Sequence, residues 1–497
     1  MGLLKKEHGY ALLAGLGCVF GFAPFGLFPV PLLALAVLFM LWQRADAPRK
    51  MAWLGFFFGL GLFSAGIGGI YVAMHEYGDM PLLLALLATL LFAAFWALLP
   101  ALAGYIQGCI PAAYGQRIIL VMPAVWALTE WFRGLLVTGF PWLVLGYAHS
   151  DSPLAGYAPL LGVYGVSLAS AVSAGLLVCA WQARASNQGR LALLALLLIW
   201  GAGAGLRTIA WTQPHGGPFT VALLQGNIAQ NLKFEEDALV GTLETYRRLA
   251  VQNDSRLTVL PETAFPMLKH EAPGALLEQL RNHARQNNGD VLIGAFERDH
   301  GGYYNSVFTV GAADEQHYRK QHLVPFGEFI PLRPLLGWLI NGVLNIPMGD
   351  LARGDAQQAP LDIAGQRVAV NICYEDVFGE EIIRALPGAT LLVNVTNDAW
   401  YGNSPIAAQH NQIAQLRALE TGRMMLRATN TGVTSVIGAD GKVLQQLPQH
   451  QEGVLLGMAR GYEGITPYVR WGNAAVLILI AMLLAGVWAW KRRTLFK

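Results

Sequence analysis

Charge is what this sequence has least of. Only 13% of its 497 residues are Asp, Glu, Lys or Arg, while 54% are hydrophobic; a soluble domain carries about a quarter charged residues. That balance excludes a chain whose whole surface faces water. A net charge of +2 with no basic stripe excludes a nucleic-acid partner. Cysteine is also scarce. Cys18, Cys109 and Cys179 sit in apolar runs, which leaves Cys373 alone in the polar part. No disulfide framework or cysteine-rich zinc site can be built there. Internal repeats and low-complexity tracts are missing as well.

What the sequence does have is a series of apolar runs. The stretch from Tyr10 to Leu41 is almost uncharged, too long for one membrane span of about 20 residues. Pro24, Pro29 and Pro31 interrupt it, so it reads as a helical hairpin over residues 9–27 and 29–42. Further runs cover residues 51–74, 81–107, 117–137, 158–181 and 190–211, and a last one covers 472–490. Lys5 and Lys6 ahead of the first run have the form of a signal peptide, but that run is too long and further spans follow it directly.

The basic residues sort these spans. Lys5, Lys6, Arg44, Arg49, Lys50, Arg117, Arg184, Arg190 and the tail Lys491, Arg492, Arg493 and Lys497 fall in one set of connections. The alternate set, around His75-Glu76 and 138–157, is nearly bare, with Arg133 at its edge. Positive charge stays in the cytoplasm. The pattern therefore predicts a membrane domain over 1–213 with seven transmembrane helices, a polar domain over 214–468 outside the cytoplasm, and an eighth helix within 469–497. Both termini are then cytoplasmic.

The polar domain changes character. Strand-like runs recur at residues 219–224, 257–260, 291–296, 306–310, 368–372, 391–395 and 433–437, with helical patterns at 236–251, 275–288 and 408–422. Asp440-Gly441 signals a tight hairpin turn. This is an α/β or α+β domain. Its focal stretch is Val368-Ala-Val-Asn-Ile-Cys-Tyr-Glu-Asp376, a buried strand ending at a thiol, with Glu380-Glu381-Ile-Ile-Arg-Ala-Leu386 reading as the helix beyond it. A thiol at such a turn is expected at the sheet's end, with its pKa lowered by a helix N-terminus.

Three polar residues stand where structure alone explains them poorly. Glu262 follows the buried run Leu257-Thr-Val-Leu-Pro261, Lys320 lies among aromatics in His317-Tyr-Arg-Lys-Gln-His322, and Cys373 is the third. Each has a bland role open to it: a helix cap, a solvated strand residue, a small core side chain. Together they supply a base, a cation and a soft nucleophile, the parts of acyl transfer through a thioester.

Leu260-Pro-Glu-Thr-Ala-Phe-Pro266, Tyr318-Arg-Lys-Gln-His-Leu-Val-Pro-Phe-Gly-Glu-Phe-Ile-Pro331, Asn371-Ile-Cys-Tyr-Glu375 and Asn394-Val-Thr-Asn-Asp-Ala-Trp400 resemble the signature blocks of the nitrilase, or carbon–nitrogen hydrolase, superfamily. The whole chain resembles a membrane-bound branch of it that N-acylates bacterial lipoproteins. The resemblance implies an α-β-β-α sandwich on the periplasmic face of the inner membrane and a triad of Glu262, Lys320 and Cys373. It places an accessory acid at Glu328 and the residues flanking the nucleophile at Tyr374 and Glu375. Asn305, Trp400 and the membrane-side Gly139 and Phe140 map onto substrate-binding positions. Where the pattern has Trp, this chain has Phe234, which keeps an aromatic contact and loses an indole N–H.

The implied reaction moves the sn-1 acyl chain of a phospholipid, usually phosphatidylethanolamine, to the α-amino group of an S-diacylglyceryl-cysteine in an apolipoprotein. No metal or organic cofactor is expected, and a monomer is the default. Residues 331–348 carry one charge inside the polar domain and read as a flap dipping into the lipid interface, anchored by Trp338 and Leu339. The enzyme alternative is a membrane-tethered amidase or nitrilase acting on a small C–N substrate, which needs neither spans nor flap. The non-enzyme alternative is a transporter or receptor, but few ionisable residues interrupt the spans.

Overall fold

The computed structural model describes residues 6–233, 235–330 and 350–495. The chain forms two compact units: residues 1–71, 82–210 and 470–497 make the first, and residues 72–81 and 211–469 the second.

The first unit is helical because its sequence is apolar all round, and such helices must face either protein or lipid. Among the described residues, Leu82–Cys109, Pro153–Gln182, Asn187–Leu206 and Ala474–Arg492 are long and apolar enough to cross a membrane. Pro48–Gly66 and Gly69–His75 qualify only as a pair bent by 59°, and Pro29–Arg44 is apolar but shorter. By length and composition that accounts for four or five of the eight spans expected. The run over 51–74 breaks at Gly66, Gly68 and Gly69, where backbone freedom disfavours a continuous helix.

Small residues let these helices pack backbone to backbone. A Cβ on Gly15, Gly55 or Gly104 would collide with the carbonyl oxygen of Phe58, Pro100 or Met51, respectively. Gly55→Val is expected to destabilise this unit by about 1–3 kcal/mol. The readout is a lower thermal midpoint in detergent; an unchanged midpoint would show that the helices can part without cost.

The second unit carries two six-stranded sheets. The first has the order β12 (Gly453–Glu463), β1 (Gln213–Gln225), β2 (Leu257–Val259), β3 (Asp290–Asp299), β4 (Gly302–Gly311), β5 (His317–Arg319). The second has the order β11 (Val443–Gln446), β10 (Ser435–Ile437), β9 (Met425–Thr429), β8 (Leu391–Thr396), β7 (Gln366–Ile372), β6 (Leu361–Ile363). Strands β1, β2 and β3 run parallel, as do β7, β8 and β9.

Each central strand is apolar on both faces because both faces are covered. Val221, Leu223, Val259 and Leu292 meet Val368, Val370, Val393 and Leu426 between the sheets. On the outer side Ala222 and Leu224 pack on Leu243 and Tyr246 of helix Glu236–Val251 and on Leu276 and Leu280 of helix Gly274–Gln286. Ala369, Leu392 and Met425 pack on Ala414 and Ala418 of helix Ile406–Thr421. The layering is α-β-β-α. It brings the carboxyl ends of β2, β5, β7 and β8 together, the edge where α/β sheets place their ligands.

Candidate active site

Glu262, Lys320 and Cys373 each stand just past the end of a strand, and the structure gathers the two charged members directly. Lys320 Nζ donates to Glu262 Oε1 at 3.2 Å and to Glu328 Oε1 at 3.0 Å. Asn305 Nδ2 donates to the same two oxygens, at 2.8 and 2.9 Å. The remaining oxygens are also held: Glu262 Oε2 accepts the Asn397 N–H at 2.9 Å, and Glu328 Oε2 accepts the Val324 N–H at 2.8 Å. Lys320 is 1% exposed. Burial alone would lower its pKa, but Glu262 and then Glu328 outweigh that and hold it well above the usual lysine range. Lys320 is therefore a permanent cation.

Cys373 faces the electrostatic influence of both Glu262 and Lys320. It adopts φ +54, a left-handed backbone that costs a β-carbon-bearing residue about 1–2 kcal/mol. Glu375 fixes that turn from behind, accepting the N–H groups of Ile372 (2.6 Å), Gln321 (2.6 Å) and His322 (3.0 Å) and the Tyr318 hydroxyl (3.0 Å). One carboxylate thus ties the Cys373 turn to the segment bearing Lys320. Burial pushes Glu375 up to about 7, against these donors and Lys320, which favour its ionised form.

One expectation is corrected. Cys373 does not sit at the end of a regular helix: it opens a five-residue 3-10 turn, Cys373–Val377, followed by the four-residue helix Gly379–Ile382. So short a helix carries little dipole. The thiol pKa moves the other way from the one expected. Burial first, and then the Glu262 carboxylate, push it well above an ordinary thiol, with Lys320 opposing and Asp398 adding to the rise. The resting group is a thiol beside a carboxylate.

The other expected residues divide. Tyr374 is half-buried, its ring 5.9 Å from that of His322 and 5.3 Å from that of Phe378. Trp400 meets Tyr77 edge-on at 6.1 Å. Gly139 and Phe140 belong to the helical unit. There Phe140 stacks on Trp96 at 5.2 Å, and Arg133 Nη1 donates to the carbonyl oxygens of Phe140 (3.0 Å) and Trp142. Val137, Thr138 and Gly139 all have positive φ, so this loop is held in a strained path. Phe234, Trp338 and Leu339 lie outside the described residues.

Two positions that bond to Glu262 were missed in the sequence. Asn397 supplies the backbone N–H on Glu262, and only its place one residue before Asp398 in the Asn-Asp-Ala-Trp block hinted at it. Lys233 is 2% exposed and donates from Nζ to the Glu262 carbonyl at 3.1 Å. Burial lowers its pKa to about 8, with Glu262 and Cys373 opposing. A lone lysine in a polar loop gives no sign of this.

Known proteins match both units of the chain. Residues 14–176 match the description "Apolipoprotein N-acyltransferase N-terminal domain" and residues 220–459 match "Carbon-nitrogen hydrolase". The apolipoprotein N-acyltransferase of Nitrosomonas europaea is 51% identical, covering 97% of each chain. This chain belongs to the apolipoprotein N-acyltransferase family. The family member of Ralstonia nicotianae is 45% identical over 99% of this chain and 94% of its own. Among solved structures, a CN-hydrolase superfamily protein from Xanthomonas campestris covers 49% of this chain and 91% of its own at 19% identity, with a TM-score of 0.38.

Proposed function

We propose that this acyltransferase moves the sn-1 acyl chain of a phospholipid such as phosphatidylethanolamine to the α-amino group of the N-terminal S-diacylglyceryl-cysteine of apolipoproteins, through a thioester on Cys373. The observation that carries the reading is the buried Lys320 cation bridging Glu262 and Glu328 beside a thiol that needs a base.

In the first half-reaction Glu262 takes the Cys373 proton as sulfur attacks the ester carbonyl. Lys320 and the backbone N–H near Tyr374 stabilise the oxyanion. The C–O bond to lysophospholipid breaks, and Glu262 returns the proton to the leaving oxygen. In the second half-reaction the lipoprotein amine attacks the thioester and Glu262 takes its proton; the C–S bond then breaks, and Glu262 passes the proton to the leaving sulfur, regenerating the thiol. Glu328 and Asn305 hold Lys320 and Glu262 in place, and Glu375 anchors the turn. A thioester suits the exchange because it yields to an amine more readily than the oxygen ester does. Water must be excluded from it.

Eight spans, seven in residues 1–213 and one in 469–497, tether the catalytic domain to the periplasmic face of a bacterial inner membrane, with both termini cytoplasmic. The segregation of Lys and Arg along the sequence supports that orientation. The test is incubation with acyl-labelled phosphatidylethanolamine and a diacylated lipopeptide. Label on the peptide amine is expected. Free fatty acid or ammonia would instead indicate a hydrolase, and no turnover a binding protein.

A further inference from the structure

Beside the triad the second unit encloses another ionic group, which the reaction scheme leaves unused. His410, on helix Ile406–Thr421, sets Nδ1 2.9 Å from Asp398 Oδ1 and Nε2 2.8 Å from Asp376 Oδ1. Arg427, on β9, donates to Asp376 Oδ2 at 2.9 Å and to Asp398 Oδ2 at 3.1 Å, and also to Asn394 Oδ1 at 2.7 Å. None of the four charged residues is more than 2% exposed.

Two carboxylates sharing the same two cations close a ring. Both imidazole nitrogens face carboxylate oxygens, and only the imidazolium donates at both. With His410 protonated the ring is neutral, which is what so deep a burial requires. The ring also touches both working parts of the site. Asp376 shares the 3-10 turn of Cys373. Asp398 follows Asn397, whose N–H holds Glu262. Asn394, fixed by Arg427, donates to the Cys373 carbonyl at 3.1 Å.

We propose that His410 is a positioning residue of the acyl-transfer site, whose positive charge closes this ring, keeps the turn of Cys373 in register with the loop that holds Glu262, and cancels a buried negative charge beside the nucleophile. The inference rests on the reading of Cys373 as the acyl carrier.

Asp376, Asp398 and Arg427 face His410, and Asp398 in turn acts on the Cys373 thiol and the Tyr401 phenol. Burial and then Arg427 draw His410 down, but Asp376 and Asp398 outweigh them and hold it above the usual histidine value. The ring's contribution is therefore complete below the unfolded-state pKa and fades as pH rises through the folded one. Once His410 is neutral the ring carries a net negative charge, with Arg427 alone against two carboxylates, and Asp398 then opposes formation of the thiolate more strongly.

The experiment uses the full chain in phospholipid nanodiscs and follows alkylation of Cys373 by iodoacetamide against pH, read by mass spectrometry on the Cys373 peptide. In H410Q the apparent thiol pKa is expected to rise by about one unit, slowing alkylation about tenfold on the acid side. Adding D398N to H410Q restores neutrality and should bring the profile back; D398N alone, with a positive ring, should move it down. The D398N arm stands even when H410Q fails to fold. An unchanged profile in both single variants, or a double variant as shifted as H410Q, would overturn the proposal. If labelled phospholipid leaves no acyl chain on Cys373 of the unaltered protein, the acyl-enzyme reading fails instead, and the alkylation profiles still report on the ring.

Discussion

Cys373→Ala is expected to form no acyl-enzyme and to cut transfer at least about 10⁴-fold, since removal of a nucleophile leaves only binding and electrostatic effects. The fold should survive. Alanine tolerates the φ +54 turn as well as cysteine does, and the anchors of that turn come from Glu375 rather than from the sulfur. Cys373→Ser separates nucleophilicity from shape. A hydroxyl is far harder to deprotonate than a thiol, and an oxygen ester on the substituted serine would be no better an acyl donor than the phospholipid itself. Both variants should therefore fail together, at unchanged melting temperature. Labelled acyl chain trapped on the alanine protein after denaturation would show that the carrier is another residue.

How much of this was legible in the sequence depended on where a residue's meaning came from. Strands β2, β3, β4, β7 and β8 and the inner half of β1 announced themselves because nearly all their residues are buried, and an apolar run needs no partner to be recognised. Strand β9 did not: Arg427 sits in the middle of Met425–Thr429, and a charge inside a strand reads as a solvated edge until the two carboxylates it neutralises are seen. Strand β12 was hidden by Gly453, Gly457 and Gly461, which weaken any strand pattern. The electrostatics of Cys373 were misjudged, because sequence suggests a helix dipole and cannot show desolvation. Helix Ile406–Thr421 makes the same point from the other side. It carries Gln409, His410, Asn411, Gln412, Arg417 and Glu420, and every one of these is buried. The helix itself was read over 408–422, but a polar helix enclosed on all sides looks in sequence like one facing water. Only three-dimensional contacts reveal that its charges pair inside the domain.

Glu262→Gln should lower both half-reactions about 10³-fold, within the range for loss of a general acid–base group, while leaving phospholipid binding nearly intact. The carboxylate does two things that an amide cannot do together. In the proposed scheme it exchanges protons with sulfur, leaving alkoxide and amine in turn. It also accepts on both oxygens, from Lys320 and Asn305 at Oε1 and from the Asn397 N–H at Oε2. The glutamine amide has one acceptor oxygen, so its NH₂ must point at either the backbone N–H or the Lys320 ammonium, and one buried donor is left unmatched. Facing Lys320 with NH₂ would also leave that cation with Glu328 as its one carboxylate partner at the site, a half-broken buried pair that costs more than the intact bridge contributes. Rapid-quench measurement divides these effects. Acyl-enzyme formation from labelled phospholipid and its discharge by added lipopeptide should slow by similar factors, since the same carboxylate serves both. If formation slows and discharge does not, a second base serves the amine, and Lys233, the buried lysine donating to the Glu262 carbonyl with its pKa lowered to about 8, is the group to replace next.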